Sequence, residues 1–258
     1  MAYTLTEVIA GNDIFSYKGH STRYGLKVAR GINLKPTTHH QKKINKRISI
    51  MRLLWLACAN FIKGDYWITF TYTKHNRPEN EKAAHKNIMD PLAKVRRKLK
   101  KKNIPLVYMC KTEKGQKGAI HHHLLIKNNF DIGLLMELWS FGRAELTKVY
   151  TNSLAALGQY FIKESENQSE KNRRKTIISH SRNMKKPIIK KRNIKSRTFA
   201  DEPKEKKGYH IIHTYNGFQT CAGYLYQEYI QTKATPDSIE DGRLCFKLFE
   251  DITEIWEP

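Results

Sequence analysis

The sequence predicts an α+β protein, with a central antiparallel sheet and helices packed on one face. Three observations predict it. Runs that alternate apolar and polar residues, and amphipathic runs of helical period, follow one another along the chain. Two strand-like runs, one reaching Glu113 and one starting at Ile120, are joined by the polar, glycine-containing segment 114–118, which suits a hairpin. The second run, Ile120-His121-His122-His123-Leu124-Leu125-Ile126, is apolar apart from three imidazoles set into it. Hairpin-joined strands fit an antiparallel sheet better than a parallel one.

With 258 residues, 40% of them hydrophobic, the chain can build one large cored domain or two small ones. Its 47 Lys and Arg against 24 Asp and Glu leave a net charge of +23, so a polyanion is the leading partner. There is no apolar run of roughly 18 residues, and Met1–Glu7 lacks the charged start and apolar core of a signal peptide. A cytoplasmic protein with no membrane partner is the expectation. Cys58, Cys110, Cys221 and Cys245 form no Cys-x-x-Cys pair, which reads as reduced thiols rather than a disulfide framework or a zinc knuckle.

Residues 1–40 hold Gly11, Gly19, Gly25, Gly31 and Pro36 without a sustained period, and read as an irregular arm with short strands. From Gln41, Ile44, Ile48, Met51, Leu54, Trp55 and Cys58 recur at helical steps, giving an amphipathic helix that ends near Asn60. Asp65–Thr73 alternates Tyr66, Ile68, Phe70 and Tyr72 against Trp67, Thr69, Thr71 and Thr73, a strand with one apolar face and one hydroxyl face. Glu79–Lys102 is helical, with Ile88, Leu92, Val95 and Leu99 on one stripe and Pro91 expected to kink or split it. Its other side carries Lys94, Arg96, Arg97, Lys98, Lys100, Lys101 and Lys102, a cluster uninterrupted by acid that points to phosphate contact.

Pro105–Lys111 leads into Glu113 as the first strand of the hairpin. Leu134–Trp139 reads as a short helix and Arg143–Tyr150 as a further strand. Asn152 or Ser153 then caps a helix whose buried side is Leu154, Leu157 and Phe161, with Tyr160 off the centre of that stripe. Between Lys171 and Arg197 stand twelve Lys or Arg and no acid, among them Arg173, Arg174, Lys175, Arg182, Lys185 and Lys186. Tyr209–Tyr215 reads as a strand, and Tyr224, Tyr226 and Tyr229 line a following segment as core or as base-stacking rings. The acidic, aromatic stretch 240–258 reads as a closing strand or docked tail. The domains expected are an N-terminal arm and amphipathic helix over 1–64, a catalytic core over 65–170, and a basic segment with a C-terminal extension over 171–258.

On a strand, His121 and His123 share one face while His122 shares the other with Ile120 and Leu124. With a turn centred near Gln116 and Lys117, Glu113 stands across from His121, within reach of the same spot. One carboxylate and two imidazoles suit a divalent cation with open coordination positions, and the donor set admits Mn²⁺, Mg²⁺ or Zn²⁺. A basic protein with such a site and a tyrosine on a downstream helix suggests phosphodiester transfer through a phosphotyrosine. A phenol is a weak nucleophile at neutral pH, so it needs a phosphate made more electrophilic by a bound cation.

Ile68-Thr69-Phe70-Thr71-Tyr72, His121-His122-His123 and Tyr160-Phe161-Ile162-Lys163-Glu164 together resemble the motifs of the HUH single-strand endonucleases, the family of replication initiators, relaxases and some transposases. Asn45–Phe61 and Ser181–Pro187 are similar to replication proteins of Gram-positive bacterial plasmids and phages, so the resemblance spans about residues 40–190. His122 departs from the bulky apolar residue usual between the two histidines. The resemblance implies that Glu113, His121 and His123 hold a divalent cation, with Mn²⁺ or Mg²⁺ expected. It also implies that Tyr160 attacks single-stranded DNA, keeps the 5′ phosphate and frees a 3′ hydroxyl, with Lys163 neutralising charge one helical turn on. Only Tyr160 lies in the motif window, Tyr150 being ten residues upstream, which favours a single-tyrosine mechanism. No Gly-x-x-x-x-Gly-Lys-Ser/Thr loop occurs, so a separate helicase is implied, and the recognised DNA is an origin strand or hairpin. The rival readings are a transposase or relaxase of the same family, a hydrolase using activated water, and a non-catalytic nucleic-acid-binding protein.

Overall fold

A computed structural model describes residues 3–20, 38–115, 118–150, 154, 177–196, 198–219 and 224–233. In chain order its elements are β1 (Tyr3–Ala10), β2 (Asp13–His20), α1 (His39–Cys58), β3 (Tyr66–Thr71), a single 3-10 turn at Lys74–Asn76, α2 (Glu81–Lys100), β4 (Tyr108–Lys114), β5 (Ile120–Ile126), α3 (Gly133–Met136), β6 (Ala144–Lys148), β7 (Ile177–His180), β8 (Ile188–Ile194), β9 (Tyr209–Gln219) and β10 (Tyr224–Lys233). The strands form two five-stranded antiparallel sheets, so the α+β class is as expected, and one sheet is additional to the single sheet read from the sequence. The chain divides into two compact units, the first drawn from 1–59, 152–160 and 186–258, the second from 60–151 and 161–185.

The first unit holds the sheet ordered β8-β1-β2-β10-β9. The glycine-containing start of the chain is a regular hairpin here, with Ala10 paired to Asp13 across a tight turn. Gly11 sits at φ 62°, and a Cβ there would run into the Cys58 carbonyl oxygen, so only glycine serves at this turn. Val8, Phe15 and Leu54 of α1 are fully buried. Arg47 is held in the unit by Glu228, 2.6 Å away, whose carboxylate also accepts from the Tyr226 hydroxyl at 2.6 Å. Part of the 171–197 basic block is regular strand: β7 belongs to the second unit, and β8 pairs Lys190 with Glu7 and Lys191 with Thr6 of β1 in the first.

The second unit is built on the sheet β6-β3-β5-β4-β7, one face of which is covered by α2. Asn80 caps that helix, its Oδ1 accepting from the Ala83 amide at 2.9 Å. Ala84, Ile88, Leu92, Val95 and Leu99 are buried against Ile68, Phe70, Cys110 and Leu124. The helix runs through Pro91 as one element, neither split nor ended there, because the proline ring itself is buried on the core stripe. Burying an aliphatic side chain contributes roughly 1.5–3 kcal/mol, so the stripe outweighs the roughly 3 kcal/mol that an interior proline costs. After Lys102 the helix is closed by two bonds, Ile104 N–H to the Leu99 carbonyl at 3.1 Å and Asn103 N–H to that of Lys100 at 3.2 Å, with Asn103 in the left-handed region at φ 55°. Asp65, buried before β3, accepts from the Ile62 and Asn128 amides at 2.8 and 3.0 Å and fixes where that strand begins.

Candidate metal centre

The β4–β5 register pairs Glu113 with His121 and Lys111 with His123, and the β3–β5 register adds Thr71 beside His121 and Thr69 beside His123. Residues paired in this way point to the same side of the sheet. Cys110, Leu124 and Ile68 of the alternate set face α2, so the histidine and glutamate side chains rise from the opposite face. The expected juxtaposition is there: the donor atoms of Glu113, His121 and His123 lie within 4.8 Å of one another. Glu113 Oε1 stands 3.2 Å from His121 Nε2 and 3.3 Å from His123 Nε2, so both imidazoles turn the same nitrogen to one carboxylate oxygen.

Lys111 completes the cluster, and the sequence reading did not pick it out. Its Nζ donates to Glu113 Oε2 at 2.6 Å, and its side chain is only 3% exposed. The signal was available, since a residue two places before Glu113 on the same strand must share its face. Burial alone would raise the Glu113 pKa. Hydrogen bonds from His121, His123 and Lys111, with the Lys111 charge, reverse this and hold the carboxyl well below the usual carboxylate range. His123 is oriented from behind by Thr69, whose Oγ1 lies 3.3 Å from Nδ1, and it packs beside Trp67 with ring centroids 5.5 Å apart. An anionic carboxylate oxygen and two convergent imidazole nitrogens, one with a partner behind it, fit a divalent cation with mixed oxygen and nitrogen ligation.

His122 does different work. It is fully buried on the α2 face, with Nε2 2.8 Å from the Tyr72 hydroxyl and Nδ1 2.8 Å from Thr112 Oγ1. Both ring nitrogens are therefore partnered, which is what a buried polar group needs. Burial, and then the charges of His85, His121 and His123, push its pKa down to about 3 and keep the ring neutral. A neutral, satisfied imidazole can thus occupy a position where a bulky apolar side chain would otherwise stand.

The remaining expected site residues are dispersed. Tyr160, Lys163, Arg173, Arg174 and Lys175 lie outside the described residues. Lys94, Arg96, Arg97, Lys98 and Lys100 are exposed on α2, with Lys101 at its C-cap, on the far side of the sheet from the Glu113 cluster. Arg96 and Lys100 meet Arg182 around one hollow, whereas Lys94, Arg97, Lys98 and Lys101 do not line it. Lys185 belongs to the second unit and Lys186 to the first, both with exposed side chains. Cys58 and Cys110 are buried thiols, and Cys221 and Cys245 lie outside the described residues.

An α+β chain with a carboxylate and two imidazoles converging on an antiparallel sheet defines a centre able to hold a divalent metal. Residues 65–169, the stretch that contains β3 to β6 and all three donors, match the family model for the replication-associated protein ORF2. That match supports a rolling-circle replication initiator. No curated protein and no solved structure gives a significant match. No described helix is long and apolar enough to cross a membrane.

Proposed function

We propose that this protein is an HUH-type nicking and joining enzyme, which cuts single-stranded DNA through a 5′-phosphotyrosine and so starts rolling-circle replication of a mobile element. The observation that carries the reading is the convergence of Glu113, His121 and His123 inside the segment that matches a replication-associated family. Glu113, His121 and His123 hold a Mn²⁺ or Mg²⁺ ion, which when bound withdraws charge from a non-bridging oxygen of the scissile phosphate. Glu113 stays ionised at neutral pH because His121, His123 and Lys111 all donate to it. Thr69 keeps His123 turned towards the shared site.

Tyr160 is the nucleophile, an assignment that rests on the Tyr160–Glu164 motif. Its phenol oxygen bonds to phosphorus as the bond to the 3′ oxygen breaks, leaving a primer end, and Lys163 offsets charge beside it. The net charge of +23 supplies sequence-independent affinity for the strand. A cytoplasmic setting, an origin strand or hairpin as substrate, and a separate helicase complete the proposal.

The test is a gel assay for a covalent adduct, with purified protein, Mn²⁺ and end-labelled single-stranded DNA from its own replicon. A shifted, protease-sensitive band that vanishes with chelator and in Tyr160→Phe is the expected result. Cleavage that persists in Tyr160→Phe assigns the attack to another tyrosine, such as Tyr150, or to water. DNA binding without cleavage of any strand overturns the enzyme reading in favour of a binding protein.

A further inference from the structure

The C-terminal end of α2, the start of β4 and the turn after β7 enclose a hollow of about 880 Å³ within the second unit. Its rim carries Arg96 and Lys100 from the helix and Arg182 from the turn, and no acidic residue lines it. Its floor is apolar: Ile104, Pro105 and Leu106 follow the helix, and the ring of Tyr108 stands at the start of β4. Basic residues in the last turn of a helix are commonplace, because they complement its dipole. Arg182 has no such reason to be there. It comes from a separate stretch of sequence and brings a third cation to the same hollow, where like charges repel unless an anion lies among them.

The wall that brings Arg182 to the helix is rigid. Ser181 N–H donates to the Tyr108 carbonyl at 3.0 Å, and the buried Ser181 hydroxyl accepts from the Tyr108 amide at 3.2 Å. The Arg96 guanidinium reaches the Tyr108 hydroxyl at 3.3 Å, which holds it over the floor instead of extended into solvent. A cationic rim above an apolar, aromatic floor matches an anion joined to a flat apolar group. A nucleotide has that form, with its phosphate on the rim and its base on the floor.

We infer that this hollow is a nucleotide subsite for the single strand engaged at Glu113, His121 and His123, taking one base and its phosphate away from the cleavage point. The inference rests on the proposed function, since it takes the bound polyanion to be single-stranded DNA. Tyr108 stands five residues before Glu113 on β4, roughly 17 Å along the strand. The subsite therefore reads a base outside the scissile step, and it adds recognition to cutting.

Full-length protein and single-stranded DNA of its own replicon test this by equilibrium binding in chelator across a salt series, so that no cleavage is needed. Arg96→Ala/Arg182→Ala should weaken binding about 10-fold or more and flatten the salt dependence by roughly 0.7 for each phosphate that is no longer neutralised. Lys94→Ala/Lys98→Ala, on the same helix but outside the hollow, should shift binding less than about 3-fold. An abasic scan of the strand should find one position whose missing base weakens wild-type binding about 10-fold and adds nothing in the Arg96→Ala/Arg182→Ala protein. The inference is overturned if the two double variants behave alike, or if no abasic position is coupled to the arginines. Adduct formation with Mn²⁺ on the same preparations reads the nicking proposal separately. Coupling without adduct removes the enzyme reading and keeps the subsite, whereas adduct without coupling removes only the subsite.

Discussion

Lys111 and Glu113 form a buried pair on one face of β4, with Nζ and Oε2 2.6 Å apart, while the other oxygen of the same carboxylate faces two imidazoles. The ammonium is thus a resident cation at a site shaped for another cation. Lys111→Met leaves Glu113 with the histidines alone. Stranding one member of a buried pair costs about 3–5 kcal/mol, and the partial exposure of Glu113 brings the expected loss down to roughly 2–3 kcal/mol. Mn²⁺ should then restore more stability to the variant than it adds to the wild type. Thermal melts with and without Mn²⁺ check this, and an equal metal-induced rise in Tm in both proteins would show that Lys111 and the metal do not share Glu113.

Thr69 should matter to the metal more than to the fold. Its Oγ1 lies 3.3 Å from His123 Nδ1, the nitrogen turned away from Glu113. Removing a partner behind a metal-ligating histidine commonly weakens metal binding about 10–100-fold, and a hydrogen bond this long argues for the lower end. Titration of Thr69→Val with Mn²⁺ should show affinity down about 10-fold with the melting temperature nearly unchanged. His123→Ala, which removes a donor outright, should bind no Mn²⁺ in the same titration. Equal affinity in Thr69→Val and wild type would mean that the strand alone orients the ring.

His122 makes stability depend on pH in a range where few other groups titrate. Its pKa falls from 6.5 to about 3 on folding, so below pH 6.5 the unfolded chain takes up a proton that the folded chain refuses. The stabilisation is complete above pH 6.5 and is lost as pH falls towards 3, at about 1.4 kcal/mol per unit. Below about 4.5, Glu113 adds to the slope, because its folded pKa is also depressed and its unfolded carboxyl protonates there. In His122→Leu, Tyr72 keeps the Ala84 carbonyl and Thr112 keeps His85 as partners, each at 3.3 Å. That variant should lose only about 1 kcal/mol at pH 7.5 and show a flatter fall between pH 6.5 and 4.5. Denaturant melts at three pH values decide it, and an unchanged slope would move the titration to another histidine.

The Glu113–His121 pairing was legible because the hairpin is local: a short turn segment fixes the register, and alternation along the strand does the rest. Lys111 obeys the same alternation but was passed over, since lysine is rarely buried and its burial depends on a partner that only the register supplies. The second sheet was illegible for a different reason. β1 and β2 form a hairpin that pairs with β8 and β10, which lie more than 150 residues away in sequence, and local periodicity carries no record of such partners. Pro91 misled because its intrinsic penalty was weighed without the buried stripe that outweighs it. Ser181–Pro187 carried a family resemblance, but that Arg182 shares a hollow with Arg96 and Lys100 depends on the β4–β7 pairing and could be seen only in the fold.

Asn60 and Lys185 separate a structural backbone from an exposed charge. They stand where the chain enters and leaves the second unit, and the Asn60 amide binds the backbone of Lys185 on both sides. Nδ2 donates to the Lys185 carbonyl at 2.8 Å, and Oδ1 accepts from the Lys185 amide at 2.8 Å. Asn60 is buried, so Asn60→Ala strands two backbone groups and should cost about 2–3 kcal/mol. Asn60→Asp keeps the shape and the acceptor but sets a carboxylate oxygen against the Lys185 carbonyl, and should be at least as damaging at pH 7. Lys185→Ala keeps the backbone bonds and should leave stability within about 0.5 kcal/mol, while reducing affinity for single-stranded DNA if its exposed ammonium meets phosphate. Urea melts of the three variants separate the two roles. If Lys185→Ala were as destabilising as Asn60→Ala, the lysine side chain itself would hold the fold, and its place among the DNA contacts would have to be given up.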